Sequence, residues 1–214
     1  MAKIKRFGLY LAAVFVLGFG IVLNTKAGLG VGSINTFPYA VSQITPLSLG
    51  MATTLLYFVF VAAQIGIYRK AEVKILLQIP FSYVMGLVID FYNGWMDFTV
   101  EGLPLQLAAL AAAIAATAVG AFLMVAMELV PNPADGMARA AGYVMHKEFG
   151  EGKLIFDCGM ILITAVVSLV FAHKIIGIGI GTVMSALFIG RLIKFLGKVF
   201  GGKTARIVEA SRGR

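Results

Sequence analysis

Asp157 follows Lys153 by one helical turn, and both stand where a long apolar run begins. On a helix surface, an i, i+4 lysine–aspartate pair is a modest ion pair. Inside a membrane-spanning helix, an ionisable residue is expensive and faces a partner or a water-filled cavity. A carboxylate held there can take a cation, pass a proton or hold a polar solute. Asp135 and Arg139 lie just upstream, in a polar stretch opened by Pro131, Asn132 and Pro133. Ser33 and Asn35 lie in an earlier interruption that runs from Gly28 to Pro38, and Asp90 stands near the end of another apolar run. These six residues, Asp157, Asp135, Asn35, Ser33, Asp90 and Arg139, are the candidate substrate-binding positions. Solvent can reach Asp90 at a helix end. Glu128, Asp135 and Arg139 read equally well as a charged mouth or as a solvated loop. Arg191 can snorkel to an interface.

Other chemistries find no support. His146 and His173 stand alone, with no HExxH or Cys/His spacing, so no metal site is expected. Gly150-Glu151-Gly152-Lys153 lacks the Walker spacing and the hydroxyl residue after the lysine. Gly28, Gly30 and Gly32, like Gly177, Gly179 and Gly181, lack the dinucleotide-binding spacing and read as close helix packing. No acyl-transfer or glycosidase constellation is visible. The expectation is no enzyme and no cofactor. The single cysteine, Cys158, lies in an apolar run and reads as a small buried hydrophobe.

The elements that must position these residues are membrane helices. The chain is 60% hydrophobic and 13% charged, with a mean hydropathy of +0.94. A soluble domain is roughly 45–50% apolar and about 25% charged. Spans of about 20 residues fall at 7–23, 49–68, 75–92, 103–127, 154–172 and 175–200. Pro80 predicts a kink in the third. Residues 34–44 predict a short helix with Ser33 as its N-cap. Residues 201–214 read as a frayed basic tail on the cytoplasmic side. A basic start before an apolar run also describes a signal peptide, but the first span takes part in the repeat below and is assigned as helix one.

The net charge of +8 follows the rule that Lys and Arg mark cytoplasmic loops, so no nucleic-acid partner is expected. With the N-terminus inside, Arg69, Lys70, Lys74, Arg139, Lys147 and Lys153 are also inside, while Asp97 and Glu101 are outside. Both termini are then cytoplasmic.

The two halves resemble each other. Gly18 aligns with Gly120, Ser33 with Asp135, Gly50 with Gly152, Lys74-Ile75 with Lys174-Ile175, and Ser82 with Thr182. Each half, about 7–93 and 103–200, has three spans, and an odd number inverts the second copy. The fold expected is an all-α membrane protein of six helices in two inverted three-helix repeats. Each repeat carries a Gly/Pro-interrupted polar segment. Such segments at matching positions mark binding sites in secondary transporters. Two pictures fit them. In one they re-enter the membrane, and half-helices starting near Ser33 and Asp135 aim backbone N–H groups at a central cavity, where an anionic group would suit them. In the other they are surface loops, each with an amphipathic helix.

The run Lys174 to Gly190, with Gly177, Gly181-Thr182, Ser185-Ala186-Leu187 and Gly190, resembles a signature of the YczE/YyaS/YitT family of bacterial membrane proteins. Lys153 followed by Asp157 is similar to the start of that family's fifth helix, and 131–136 to its Pro-x-x-Gly loop. Ala27-Gly28-Leu29-Gly30 with Pro38 matches less closely. The resemblance spans nearly the whole chain. It implies a bacterial inner-membrane protein and brings no functional residues. The function expected is a small-solute transporter, or a substrate-binding membrane subunit, with its site between the repeats. The alternative is a non-transporting assembly or regulatory partner of another complex. Expected partners are the lipid bilayer, an unidentified small solute, and a second copy or another membrane protein.

Overall fold

A computed structural model describes residues 2–213, and every ordered element among them is helical. The helices are α1 (Ala2–Lys26), α2 (Thr36–Ile44), α3 (Leu49–Tyr68), α4 (Val73–Leu76), α5 (Gln78–Trp95), α6 (Leu103–Met127), α7 (Pro133–Val144), α8 (Phe149–Ala172) and α9 (Ile180–Arg212). Six segments are long and apolar enough to cross a membrane: α1, α3, α4 with α5, α6, α8 and α9.

Local chemistry sets the boundaries. The Ser48 hydroxyl accepts the Met51 N–H at 3.0 Å and starts α3, and Arg69, left-handed at φ 51°, ends it. Pro104 lies in the first turn of α6, and Glu128 stops it at φ 50°. The Pro80 kink is realised upstream, as a break at Leu77 between α4 and α5. Proline has no N–H and its ring crowds the carbonyl four residues earlier, here that of Leu76.

α1 and α6 form the centre. A Cβ on Gly20 would stand 2.5 Å from the Thr117 hydroxyl, and one on Gly120 would stand 2.6 Å from the Leu17 nitrogen. Small residues let membrane helices approach this closely. Around this pair, α5 packs on α1, α9 on both α1 and α6, α3 on α5, and α7 on α8. Two further contacts cross between the halves: α2 lies on α8, and α7 lies on α3. Large apolar side chains such as Phe91, Leu162 and Phe171 point outward, as lipid-facing side chains do.

Four expectations are corrected. Ser33 does not cap α2. It opens a 3-10 turn, Ser33–Asn35, and its carbonyl accepts the Thr36 hydroxyl at 2.7 Å. The glycines Gly177 and Gly179, with Gly181 in the first turn of α9, pack against the loop that follows α1 rather than helix on helix. The Val31 N–H donates to the Gly177 carbonyl at 2.8 Å and the Gly181 N–H to the Leu29 carbonyl at 2.7 Å. A Cβ on Gly30 would stand 2.5 Å from the Gly179 nitrogen. Cys158 is exposed, on the outward face of α8 with Leu154, Ile155 and Leu162. Residues 201–212 do not fray but continue α9. Its 33 residues span about 50 Å at 1.5 Å per residue, more than the roughly 30 Å hydrocarbon core. The excess is held by buried Thr204, Val208 and Ser211. Arg6 ties it down, donating to the Ser211 hydroxyl at 3.2 Å and to the Met127 carbonyl at 2.8 Å.

Candidate functional site

The polar segments of the two halves meet at α8. On one side, Asn132 caps α7, its Oδ1 accepting the Ala134 N–H at 3.0 Å, and Pro133 fills the first turn. That cap places Asp135 in the first turn, where a carboxylate answers the exposed N–H groups and the positive end of the helix dipole. On the other side, the left-handed glycines Gly28 and Gly30 end the path of α1 and swing the chain back into the Ser33–Asn35 turn, which packs on α8.

Between them stand Lys153 and Asp157. The Lys153 ammonium lies 3.6 Å from Asp135 Oδ1 and 3.7 Å from Asp157 Oδ1. The Ser33 hydroxyl faces the Asp157 carboxylate. The Asp157 side chain is only 9% exposed, and its Oδ1 makes no hydrogen bond. The structure therefore brings Ser33, Asp135 and Asp157 to one place. Asn35 is half-buried on the same 3-10 turn as Ser33.

Arg139 and Asp90 lie elsewhere. The Arg139 guanidinium stacks over the Phe149 ring at 5.2 Å. Arg139 also lines a cleft of about 360 Å³ with Lys74, Glu128, Asn132 and Asp135. Asp135 thus belongs to both the cleft and the buried cluster. Asp90 is a clamp on the start of α3: its carboxylate accepts the Ser48 hydroxyl at 2.6 Å and the Gly50 N–H at 2.7 Å.

At the α7 N-terminus, expected to suit an anionic ligand, the Asn132 side chain takes the Ala134 N–H and Asp135 stands in the first turn. The ionisable groups of the cluster are two carboxyls and one ammonium. Its capacity is for cations and hydrogen-bond donors.

Residues 4–198 match the model of a family of unknown function, DUF6198. The chain belongs to this family. No curated protein and no solved structure matches it. The DUF6198 match takes in every residue of the cluster, and it does not name the YczE/YyaS/YitT proteins that the motifs resemble.

Several polar contacts escape the sequence reading. The Tyr57 hydroxyl, fully buried on α3, faces the Asn132 side chain beside Asp135. The Thr36 and Thr164 hydroxyls meet at 2.9 Å and join α2 to α8. Asn24 donates to the Ser185 hydroxyl at 3.0 Å and joins α1 to α9. The signal for Tyr57, Thr164 and Ser185 was an isolated polar side chain in an apolar run, which inside a membrane must find a partner.

Proposed function

We propose that this DUF6198 protein is a polytopic protein of the bacterial inner membrane that carries, or presents to a partner, a small solute bound between its two halves. The observation that carries the reading is the meeting of Ser33, on the turn that leads into α2, and Asp135, in the first turn of α7, on either side of the Lys153–Asp157 pair. A site at the junction of two repeats is where secondary transporters hold their solutes.

The packing supports the inverted repeat. α2 of the first half lies on α8 of the second, and α7 of the second lies on α3 of the first. The first helices of the two halves, α1 and α6, lie against each other, and each also packs on the last helix of its own half. A duplicated unit related by a two-fold axis makes these reciprocal contacts; the packing of α3 on α5 and of α1 on α9 has no such counterpart. The positive-inside rule puts both termini in the cytoplasm. The chain acts without chemistry of its own: the cluster binds rather than turns over.

Purified protein tested for thermal stabilisation by a library of small solutes, followed by uptake into proteoliposomes, is the direct test. Stabilisation by one solute, its loss in Asp157→Asn and its accumulation in vesicles are expected. A flat solute screen together with a stoichiometric co-purifying membrane protein would favour the assembly-partner role instead.

A further inference from the structure

We propose that Asp157 and Ser33 bind a small monovalent cation, with the Lys153 ammonium moving onto Asp135 when the cation arrives. The proposal rests on the reading of the cluster as the site between the halves, and adds the class of ligand.

The geometry is that of one cation shared between two anions. Lys153 is 3.6 Å from Asp135 and 3.7 Å from Asp157. A charge-assisted N–H···O bond is about 2.7–2.9 Å, so neither contact is a closed hydrogen bond. Asp157 Oδ1, shut away from water, has none at all. A buried carboxylate oxygen without a hydrogen bond is costly. Within the cluster, two carboxylates against one ammonium leave one negative charge unmatched, while the Lys74 and Arg139 cations line the cleft that Asp135 shares. One monovalent cation restores neutrality, whereas a divalent one would overshoot it.

The donor set suits such an ion. Asp157 offers two carboxylate oxygens, and the Ser33 hydroxyl facing it offers a neutral oxygen. Oxygen ligands of this kind select hard cations. Lysine is a point charge on a flexible stem. Once a cation holds Asp157, Lys153 is free to close on Asp135, and each carboxylate then has its own partner. Asp135 also lines the cleft, so filling the buried position changes the charge that the cleft presents to a solute. The ion is thereby linked to solute binding.

A purely structural triad has the same residues but no response to added ions. The two are separated by melting purified, detergent-solubilised protein in sodium chloride, potassium chloride or methylammonium chloride. Choline chloride at equal ionic strength is the control, and a magnesium chloride series tests charge. The sodium and potassium arms stand for a free inorganic ion, and the methylammonium arm for the ammonium head of a solute. A saturable rise in melting temperature is expected in at least one monovalent series and not in choline. Lys153→Met removes the competing charge and lowers the half-saturating concentration by about tenfold or more. Asp157→Asn abolishes the response. Asp135→Asn leaves Lys153 to Asp157 alone and raises the half-saturating concentration by about tenfold or more.

Equal responses to all salts in both wild type and Lys153→Met overturn the proposal. So does a response confined to magnesium, or a monovalent response that survives in Asp157→Asn. If Asp157→Asn does not fold, an unchanged half-saturation in Asp135→Asn overturns it alone. The readout is independent of transport. A failed uptake assay leaves a positive titration standing, and a flat titration leaves solute uptake to be judged by itself.

Discussion

The side-chain amides of Gln64 on α3 and Gln78 on α5 bond to each other twice, Nε2 to Oε1, at 3.0 and 3.1 Å. Gln64 Nε2 also lies 3.3 Å from the Pro133 carbonyl, and Gly136 sits directly over the Gln64 amide. The pair therefore anchors the start of α7, and with it Asp135, to the first half. Hydrogen bonds between membrane helices average about 0.6 kcal/mol, whereas orphaning a buried polar group costs about 1–3 kcal/mol. The second effect should win in a single variant. Gln64→Leu is expected to lose about 1–3 kcal/mol of stability. Gln64→Leu with Gln78→Leu should lose less than the sum of the two single changes, since no amide is left unpaired. Melting curves of the four proteins in a double-mutant cycle check this, and strict additivity refutes it.

Gly50 and Gly86 bring α3 and α5 together backbone to backbone. A Cβ on Gly86 would collide with the Thr54 hydroxyl and lie 2.7 Å from the Gly50 carbonyl oxygen. That oxygen is on the main chain and cannot yield without moving a helix. Overpacking of this kind costs about 1–3 kcal/mol. Gly86→Ala should lower the melting temperature and the folded yield. Gly66→Ala, with nothing within 4 Å of its added methyl, should be neutral or gain about 0.5–1 kcal/mol from helix propensity.

Asp90 offers a way to tell a clamp from a ligand. Its two oxygens take the Ser48 hydroxyl and the Gly50 N–H, and the Ser48 hydroxyl in turn caps Met51. Asp90→Ala leaves that N–H unpaired at the start of α3 and should lose about 1–2 kcal/mol. Asp90→Asn, which keeps one acceptor, should fall between. Both variants should keep solute and cation responses at wild-type midpoints. A stable Asp90→Asn that no longer responds to solute would return Asp90 to the site.

These cases show what a linear sequence carries. The limits of α6 were legible because Pro104 and the break before Pro131 frame an unbroken apolar run. Lys153 and Asp157 were legible because i, i+4 spacing is local. The approach of Ser33 and Asp135 was legible only through the repeat, which aligns them. The start of α9 was not legible. Hydropathy cannot tell a helix from the non-helical segment before Ile180, which lays Gly177 against Val31. Its end was missed for the opposite reason. Thr204, Val208 and Ser211 make a buried face at helical spacing, but two of the three are polar and small, so a basic stretch hid them. Gln64 and Gln78 announced a need for partners, and nothing local said that they would satisfy each other.

Orientation is the remaining link between the repeat and a working site, and it can be tested without knowing the solute. The connections bearing Arg69 and Lys70, and Arg139 and Lys147, fall on one side of the alternating helices. The connection bearing Asp97 and Glu101 falls on the other. Basic residues in short loops are retained in the cytoplasm. Because α5 continues to Trp95, a reporter belongs at Phe98, in the non-helical stretch, rather than at Asn93. A phosphatase inserted there should be active, as an external enzyme, and a fluorescent reporter fused after the last residue should glow in the cytoplasm. The first helix of the second half would then enter the membrane from the face opposite to that used by α1. The interruptions at Ser33 and Asp135 would accordingly approach Lys153 and Asp157 from opposite sides. A cytoplasmic result at Phe98 would break that relation. Ser33 and Asp135 would still be neighbours, but not symmetry mates, and the case for a carrier site between inverted halves would fall with the repeat.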